Sequence, residues 1–325
     1  MRVAESLVAW GQVLGAELER RYPGRAMRHW PAEVRWEEGG TSPFDDVIGI
    51  DVADPVPHWA YVGVGLGDLG FEPTLRLHRE PSEAEPPEWP VEVLRNLGRY
   101  VLGTGNRIKA RDWMPLHKPM TWDVPTELTA LVFTHDADLG PVDNDGIEVR
   151  FVQVVGVTDD ELEAIKAWDV DRSLDLWRRR NPHLVVDPGR RSLLVSDAGL
   201  AAVMAEGART EGSGSSAVWL SRLHWAADDG GAVKVVIGLG EVDDVAQAFR
   251  RRLPFGRELL VADGQQSVLF QATDEVGIVP GEARVTVGLP PEAVAWLVAA
   301  LRPLPATLRP SMVPGLTIEL AMVVP

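Results

Sequence analysis

The chain has 325 residues, 45% of them hydrophobic, and its 48 acidic against 32 basic side chains give a formal net charge of −16. That length can bury a sizeable core and suggests about two domains, while the acidic balance disfavours nucleic acid as a partner, because neutralising phosphates takes basic patches. The absence of cysteine excludes disulfides, thiolate zinc sites and cysteine nucleophiles, and no run of about 20 apolar residues offers a membrane span.

The first predicted element is an amphipathic helix ending at Pro23-Gly24. Val3, Leu7, Trp10, Leu14 and Leu18 recur every three or four residues and form one apolar stripe. The stretch is too charged for a signal peptide, and the lack of cysteine fits a cytoplasmic protein. Next comes HWAYVGV, a strand pattern, followed by GLGDLG at 65–70. This is a literal G-x-G-x-x-G. In a dinucleotide-binding unit such glycines open a helix whose N-terminus holds the pyrophosphate. Here FEPTLRLH follows, with Leu75 and Leu77 alternating with Arg76 and His78, which is a strand period. The expectation is a hairpin turn between two antiparallel strands, with no nucleotide.

A helix is predicted over 90–102, with Pro90 in its first turn, Val91, Leu94, Leu97 and Val101 on its buried face, and Gly103 as its stop. TELTALVF and IEVRFVQVVGV read as strands flanking the turn signal DNDG. Asp143 could begin a calcium loop, but its twelfth position is Val154, so a hairpin is expected. Thr158 and Glu161 form a capping box. It opens a helix carrying Leu162, Ile165 and Trp168. A second short helix carries Leu174 and Trp177 and is closed by Asn181-Pro182. The segment EGARTEGSGSS, 206–216, lacks apolar periodicity and reads as a linker.

The remainder contains an echo at a 50-residue offset. SAVWLSRLHW aligns with QSVLFQATDE, and KVVIGL with RVTVGL. Each pair is followed by an amphipathic helix and a further strand. The expected fold is therefore α+β with two domains. A mixed sheet with flanking helices fills 1–195, and a tandem β-β-α-β repeat fills 217–325.

The chemistry is sparse. None of the seven histidines stands at a local metal-binding spacing. There is no G-x-S-x-G elbow and no phosphate-binding loop. No catalytic residue, metal or cofactor is expected. Trp10, Trp168, Trp177 and Trp296 sit on helical stripes and read as core. Trp89, Trp113 and Trp122 lie in connecting segments, where exposed tryptophans could anchor a partner. The clusters Arg178–Arg180 and Arg250–Arg252 lie at helix C-terminal ends, where cations complement the dipole.

One succession of motifs carries a family resemblance. HWAYVGVGLGDLGFEPTLRLHRE is followed by PPEWPVEVLRNLGRYVL, TELTALVF, VRFVQVVGVTDDELEAIKAWDV and NPHLVVDPGRRSLL. This resembles the suppressor-of-fused family, prokaryotic branch, over roughly 45–195. GLGDLG stands for that family's GLSDLY. Trp168-Asp169 departs from its W-N, and nothing in 217–325 resembles the animal C-terminal domain. The resemblance implies a non-catalytic binding protein. Animal members sequester Gli-type transcription factors between their two domains by β-strand addition. Two partner-contacting positions carry over by motif: Tyr100 in RYVL and Asp112 in RDW. Prokaryotic relatives are proposed to be immunity proteins of polymorphic toxin systems, which implies a protein partner here, such as a basic toxin domain met by the acidic surface. The alternatives are an enzyme with a dispersed site and a housekeeping interaction scaffold. The sequence leaves the oligomeric state open.

Overall fold

The structure, a computed structural model, describes residues 2–324, with side chains described from Trp10 onward. The chain divides into two compact units, Met1–Glu163 with Val170–Ala201, and Ala164–Asp169 with Ala202–Pro325.

In chain order the elements up to residue 211 are α1 (Arg2–Arg21), β1 (Met27–His29), β2 (Asp46–Val52), β3 (His58–Val64), β4 (Phe71–His78), α2 (Trp89–Thr104), β5 (Trp113–Pro115), β6 (Ala130–His135), β7 (Val142–Asn144), β8 (Ile147–Val157), α3 (Asp159–Ala167), α4 (Val170–Arg178), α5 (Leu193–Ser196) and α6 (Ala198–Glu211). The first unit is built on one sheet of order β1-β2-β3-β4-β8-β6-β5, with β7 pairing β8. Only β4 and β8 pair in parallel; the other ladders are antiparallel.

Both faces of this sheet are covered. Along β3, Trp59 and Tyr61 join the cluster that contains Leu94, Leu97 and Val101 of α2. Ala60 and Val62 join the cluster that contains Trp10, Leu14 and Leu18 of α1. Successive strand side chains point to opposite faces, so two amphipathic helices are needed. The apolar stripe read for α1 is thus buried at Trp10, Leu14 and Leu18; the side chains of Val3 and Leu7 lie outside the described residues.

The turn readings hold with small shifts. GLGDLG joins antiparallel β3 and β4 through a single 3-10 turn at Gly67–Leu69. Asp145 and Gly146 both take positive φ, as a tight β7–β8 hairpin demands. Helix α2 runs past Gly103 and stops at Gly105, which takes the left-handed conformation and returns its N–H to Val101. Thr158 N–H donates to the Glu161 carboxylate at 2.9 Å, one half of the predicted capping box.

The second unit carries β9 (Ala217–Trp219), β10 (Leu223–Ala227), β11 (Val233–Gly238), α7 (Val242–Arg252), β12 (Leu259–Ala262), β13 (Ser267–Ala272), β14 (Gly277–Pro280), β15 (Arg284–Leu289), α8 (Pro291–Ala300), β16 (Ala306–Leu308) and β17 (Leu316–Ala321). The expected order of strands, helix and closing strand occurs twice. The pairing, however, is exchanged between the copies. Strand β12, which closes the first copy, lies in the sheet β14-β15-β13-β12-β9, and β17, which closes the second, lies in the sheet β10-β11-β17-β16. Moreover, β11 is flanked by β10 and β17, whereas β15 is flanked by β14 and β13. The two copies are therefore interlocked and do not share one strand order. A single core, including Phe249 of α7 and Leu297 of α8, serves both sheets.

The expected linker 206–216 is helical through Glu211, because α6 continues across it. Beyond the helix, Ser213 N–H donates to the Arg251 carbonyl at 2.7 Å, and Arg252 and Arg257 both donate to the Ser213 carbonyl, at 2.7 and 2.8 Å. Small polar residues here serve close approach: a Cβ on Gly207 would stand 2.2 Å from the Trp168 ring. Arg252, read as a dipole complement, is buried for this purpose. Trp296, read as core, is instead 38% exposed.

Candidate protein-binding site

Tyr100 lies on the last turns of α2, and Asp112 lies in the loop leading to β5. Both are exposed. The Tyr100 hydroxyl accepts a hydrogen bond from the Asn106 side-chain amide at 3.0 Å, so its ring is tethered at the edge of the buried helix face. The Asp112 carboxylate accepts the Lys109 N–H at 2.8 Å, and the Asp112 N–H returns to the Lys109 carbonyl at 3.1 Å. Partial burial raises its carboxyl above 3.8, against the Lys109 N–H and ammonium, which lower it. Asp112 therefore has a local duty in its turn besides any role in recognition. Among the described residues no hydrogen bond joins Tyr100 and Asp112.

The strand that follows is the last of its sheet. Arg111 and His117 bracket β5 with φ of +80° and +55°, two of the four non-glycine residues with positive φ among the described residues. Such conformations cost on the order of 1–3 kcal/mol each and persist only where the surroundings enforce them. Arg111 N–H and the Asp112 carbonyl are both tied to Phe133 of β6, at 2.8 and 2.9 Å. Trp122, in the loop between β5 and β6, is 76% exposed; Trp89 is buried and Trp113 half-buried.

Polar groups are buried on the α1 side of the same sheet. Strand β4 is buried along nearly its whole length. Glu72 accepts N–H bonds from Gly65 at 2.9 Å, Leu66 at 3.0 Å and the Trp10 indole at 2.8 Å. The glycine-rich turn thus wraps a carboxylate of its own chain. Burial pushes Glu72 up to about 8 against these N–H bonds, which lower it. Two residues on, Thr74 donates to Asp136 at 2.7 Å. Arg76 pairs with Asp136 at 2.6 Å and Asp138 at 3.0 Å, and both Arg76 and Asp136 side chains are 1% exposed. Burial alone would raise Asp136; the Arg76 guanidinium and the Thr74 hydroxyl hold it below 3.8. Two amphipathic helices in the sequence, one for each sheet face, were the available sign that β4 has no solvent side.

Residues 44–191 match the family model described as Suppressor of fused protein (SUFU). Over these residues the chain is similar to the suppressor-of-fused domain. The Suppressor of fused homologs of Homo sapiens and Mus musculus are each 31% identical to it over 215 residues, which is 58% of this chain. The match spans 44% of the length of each of these curated relatives. The crystal structure of Drosophila Suppressor of Fused aligns with a TM-score of 0.77 at 18% identity and covers 97% of both chains. The shared fold therefore extends beyond the residues that the family model matches. A crystal structure of the Sufu–Fu complex aligns with a TM-score of 0.55 at 25% identity, covering 59% of this chain and 95% of that one. Among the described residues no helix is long and apolar enough to cross a membrane, and no cluster of three or more metal-binding side chains occurs.

Proposed function

We propose that this chain is a non-catalytic protein-binding module. Its partner docks over Tyr100, Asp112 and the end of the sheet at β5. The observation that carries the reading is an exposed carboxylate leading into an end strand bracketed by two strained residues, with an exposed aromatic on the helix before it. A neighbour of related fold crystallised in a Sufu–Fu complex supports it. The net charge of −16 favours a basic partner by steering and complementarity. A cytoplasmic immunity protein that sequesters a basic toxin domain fits this chemistry. The enzyme alternative finds its densest set of titratable groups around Arg76 and Asp136, whose side chains are sealed from solvent.

Co-expression with a panel of basic toxin domains tests this reading. Protection of the host, together with a stable complex by size exclusion, is the expected result. Growth arrest in the presence of well-folded protein would count against the immunity role, and failure to bind any of these domains would count against the partner class.

A further inference from the structure

We propose that the side chains around His58 form an acid-operated clamp that holds the end of α1 and the segment 181–186 to the sheet. His58 lies on β3 and is fully buried. Its Nδ1 is 2.8 Å from the Val56 carbonyl, and its Nε2 is 2.8 Å from Arg76 Nη1. A carbonyl only accepts and a guanidinium only donates, so Nδ1 carries the proton and Nε2 accepts. The neutral ring is the one state that satisfies both contacts. A second proton would remove Arg76's acceptor and set two cations against each other.

The same guanidinium holds two other parts of the unit. Its Nη2 donates to the Tyr22 hydroxyl at 3.2 Å, just past α1, and to Asp136 at 2.6 Å. Arg21, in the last turn of α1, pairs with Asp138, as Arg76 does. On the other side the His183 ring meets His58 edge-on at 5.6 Å, and His183 Nδ1 lies 3.5 Å from Asp138. Gln153 of β8 holds the His183 carbonyl at 2.7 Å, Leu184 takes a φ of +48°, and Val186 exchanges backbone bonds with Arg76 and His78 of β4. His78, directly across the ladder from His58, faces Glu80 at 3.6 Å. Two arginines thus balance two aspartates, and a protonated imidazole would be a surplus buried cation.

Burial first, and the Arg76 charge, push His58 down to about 4 from its ordinary 6.5, against the Val56 carbonyl. An opened clamp takes up the proton before the closed one does. Opening is therefore favoured progressively as pH falls from 6.5 toward 4, by about twentyfold between pH 7 and pH 5.

Hydrogen exchange on the full chain at these two pH values, corrected for intrinsic rates, tests the clamp. A loss of protection of about that size is expected in 18–22 and 181–186, with α2 unchanged. His58→Gln keeps an acceptor for Arg76 without a basic nitrogen and should flatten the dependence. Equal loss in His58→Gln, no loss in the wild type, or uniform loss across the unit would each overturn the clamp. Should His58→Gln not fold, NMR titration of the wild-type imidazole decides. A ring still neutral at pH 5 in the closed form supports the clamp, and proton uptake near 6.5 without loss of protection refutes it.

Discussion

The indole nitrogen of Trp10 lies 2.8 Å from the Glu72 carboxylate, joining the first helix to the residue that the glycine-rich turn encloses. This contact answers the question raised by GLGDLG. Gly65, with a φ of +154°, and the following backbone turn their N–H groups inward. The site that would cradle a phosphate in another fold is filled from within.

Glu72 should make stability fall with rising pH. Its folded-state pKa is raised from 4.5 to about 8, so the folded protein holds the proton more tightly than the unfolded chain. The resulting stability is complete below pH 4.5 and is lost as pH rises toward 8. Glu72→Gln places an amide oxygen before the same donors and removes the titration. Urea unfolding from pH 5 to 8 should show the variant gaining on the wild type, by on the order of a few kcal/mol at the upper end. Parallel profiles would mean that Glu72 is ionised in the fold throughout.

The Arg76–Asp136 pair should be costly to break on one side. Arg76→Met leaves Asp136 buried with only neutral donors, and a loss of about 3–5 kcal/mol is expected in denaturant titrations. His58 also loses its donor. A cost below about 1 kcal/mol would show that water reaches the pair.

Much of the first unit was legible because its signals are local. The capping box at Thr158, the DNDG turn and the stripe of α2 each depend on residues within one or two turns. The burial of Glu72 and Arg76 was not legible along β4, since polar residues at alternate positions ordinarily face water. What buries them is α1 and the residue just past it, far earlier in the chain. The exchanged closing strands β12 and β17 escaped for the same reason: pairing partners are set by packing, and the 50-residue echo records element order alone. For the candidate site, Tyr100 and Asp112 came from motif resemblance. The strained backbone at Arg111 and His117 has no sequence signature, as neither residue is glycine or asparagine.

Glycine in the segment read as a linker gives a sharp packing test. An alanine in a helix interior is normally worth up to about 1 kcal/mol over glycine. Gly15→Ala in α1 should show that gain, because its Cβ would meet nothing within 4 Å. Gly207→Ala in α6 should reverse it, because its Cβ would fall 2.2 Å from Trp168. A loss of about 1–3 kcal/mol is expected. Thermal melts of the two variants side by side would decide, and similar gains in both would mean that the Trp168 ring moves aside freely.

Binding measurements separate the proposed docking role of Asp112 from its place in the turn. The carboxylate accepts the Lys109 N–H, so charge reversal would disturb the turn and the docking surface together. Asp112→Asn keeps an oxygen for that bond and removes the charge. Against a basic partner, the expected outcome is a several-fold to hundredfold loss of affinity, about 1–3 kcal/mol, with thermal stability within about 0.5 kcal/mol of wild type. Tyr100→Phe should cost little if the ring is the anchor, since only the bond to Asn106 is lost, whereas Tyr100→Ala should cost about 2 kcal/mol or more, as truncating an interface aromatic typically does. Calorimetry on the three variants with one partner gives the pattern. Normal affinity in both Asp112→Asn and Tyr100→Ala, with folding intact, would remove these two residues from the docking surface and return Asp112 to its turn as a purely structural carboxylate.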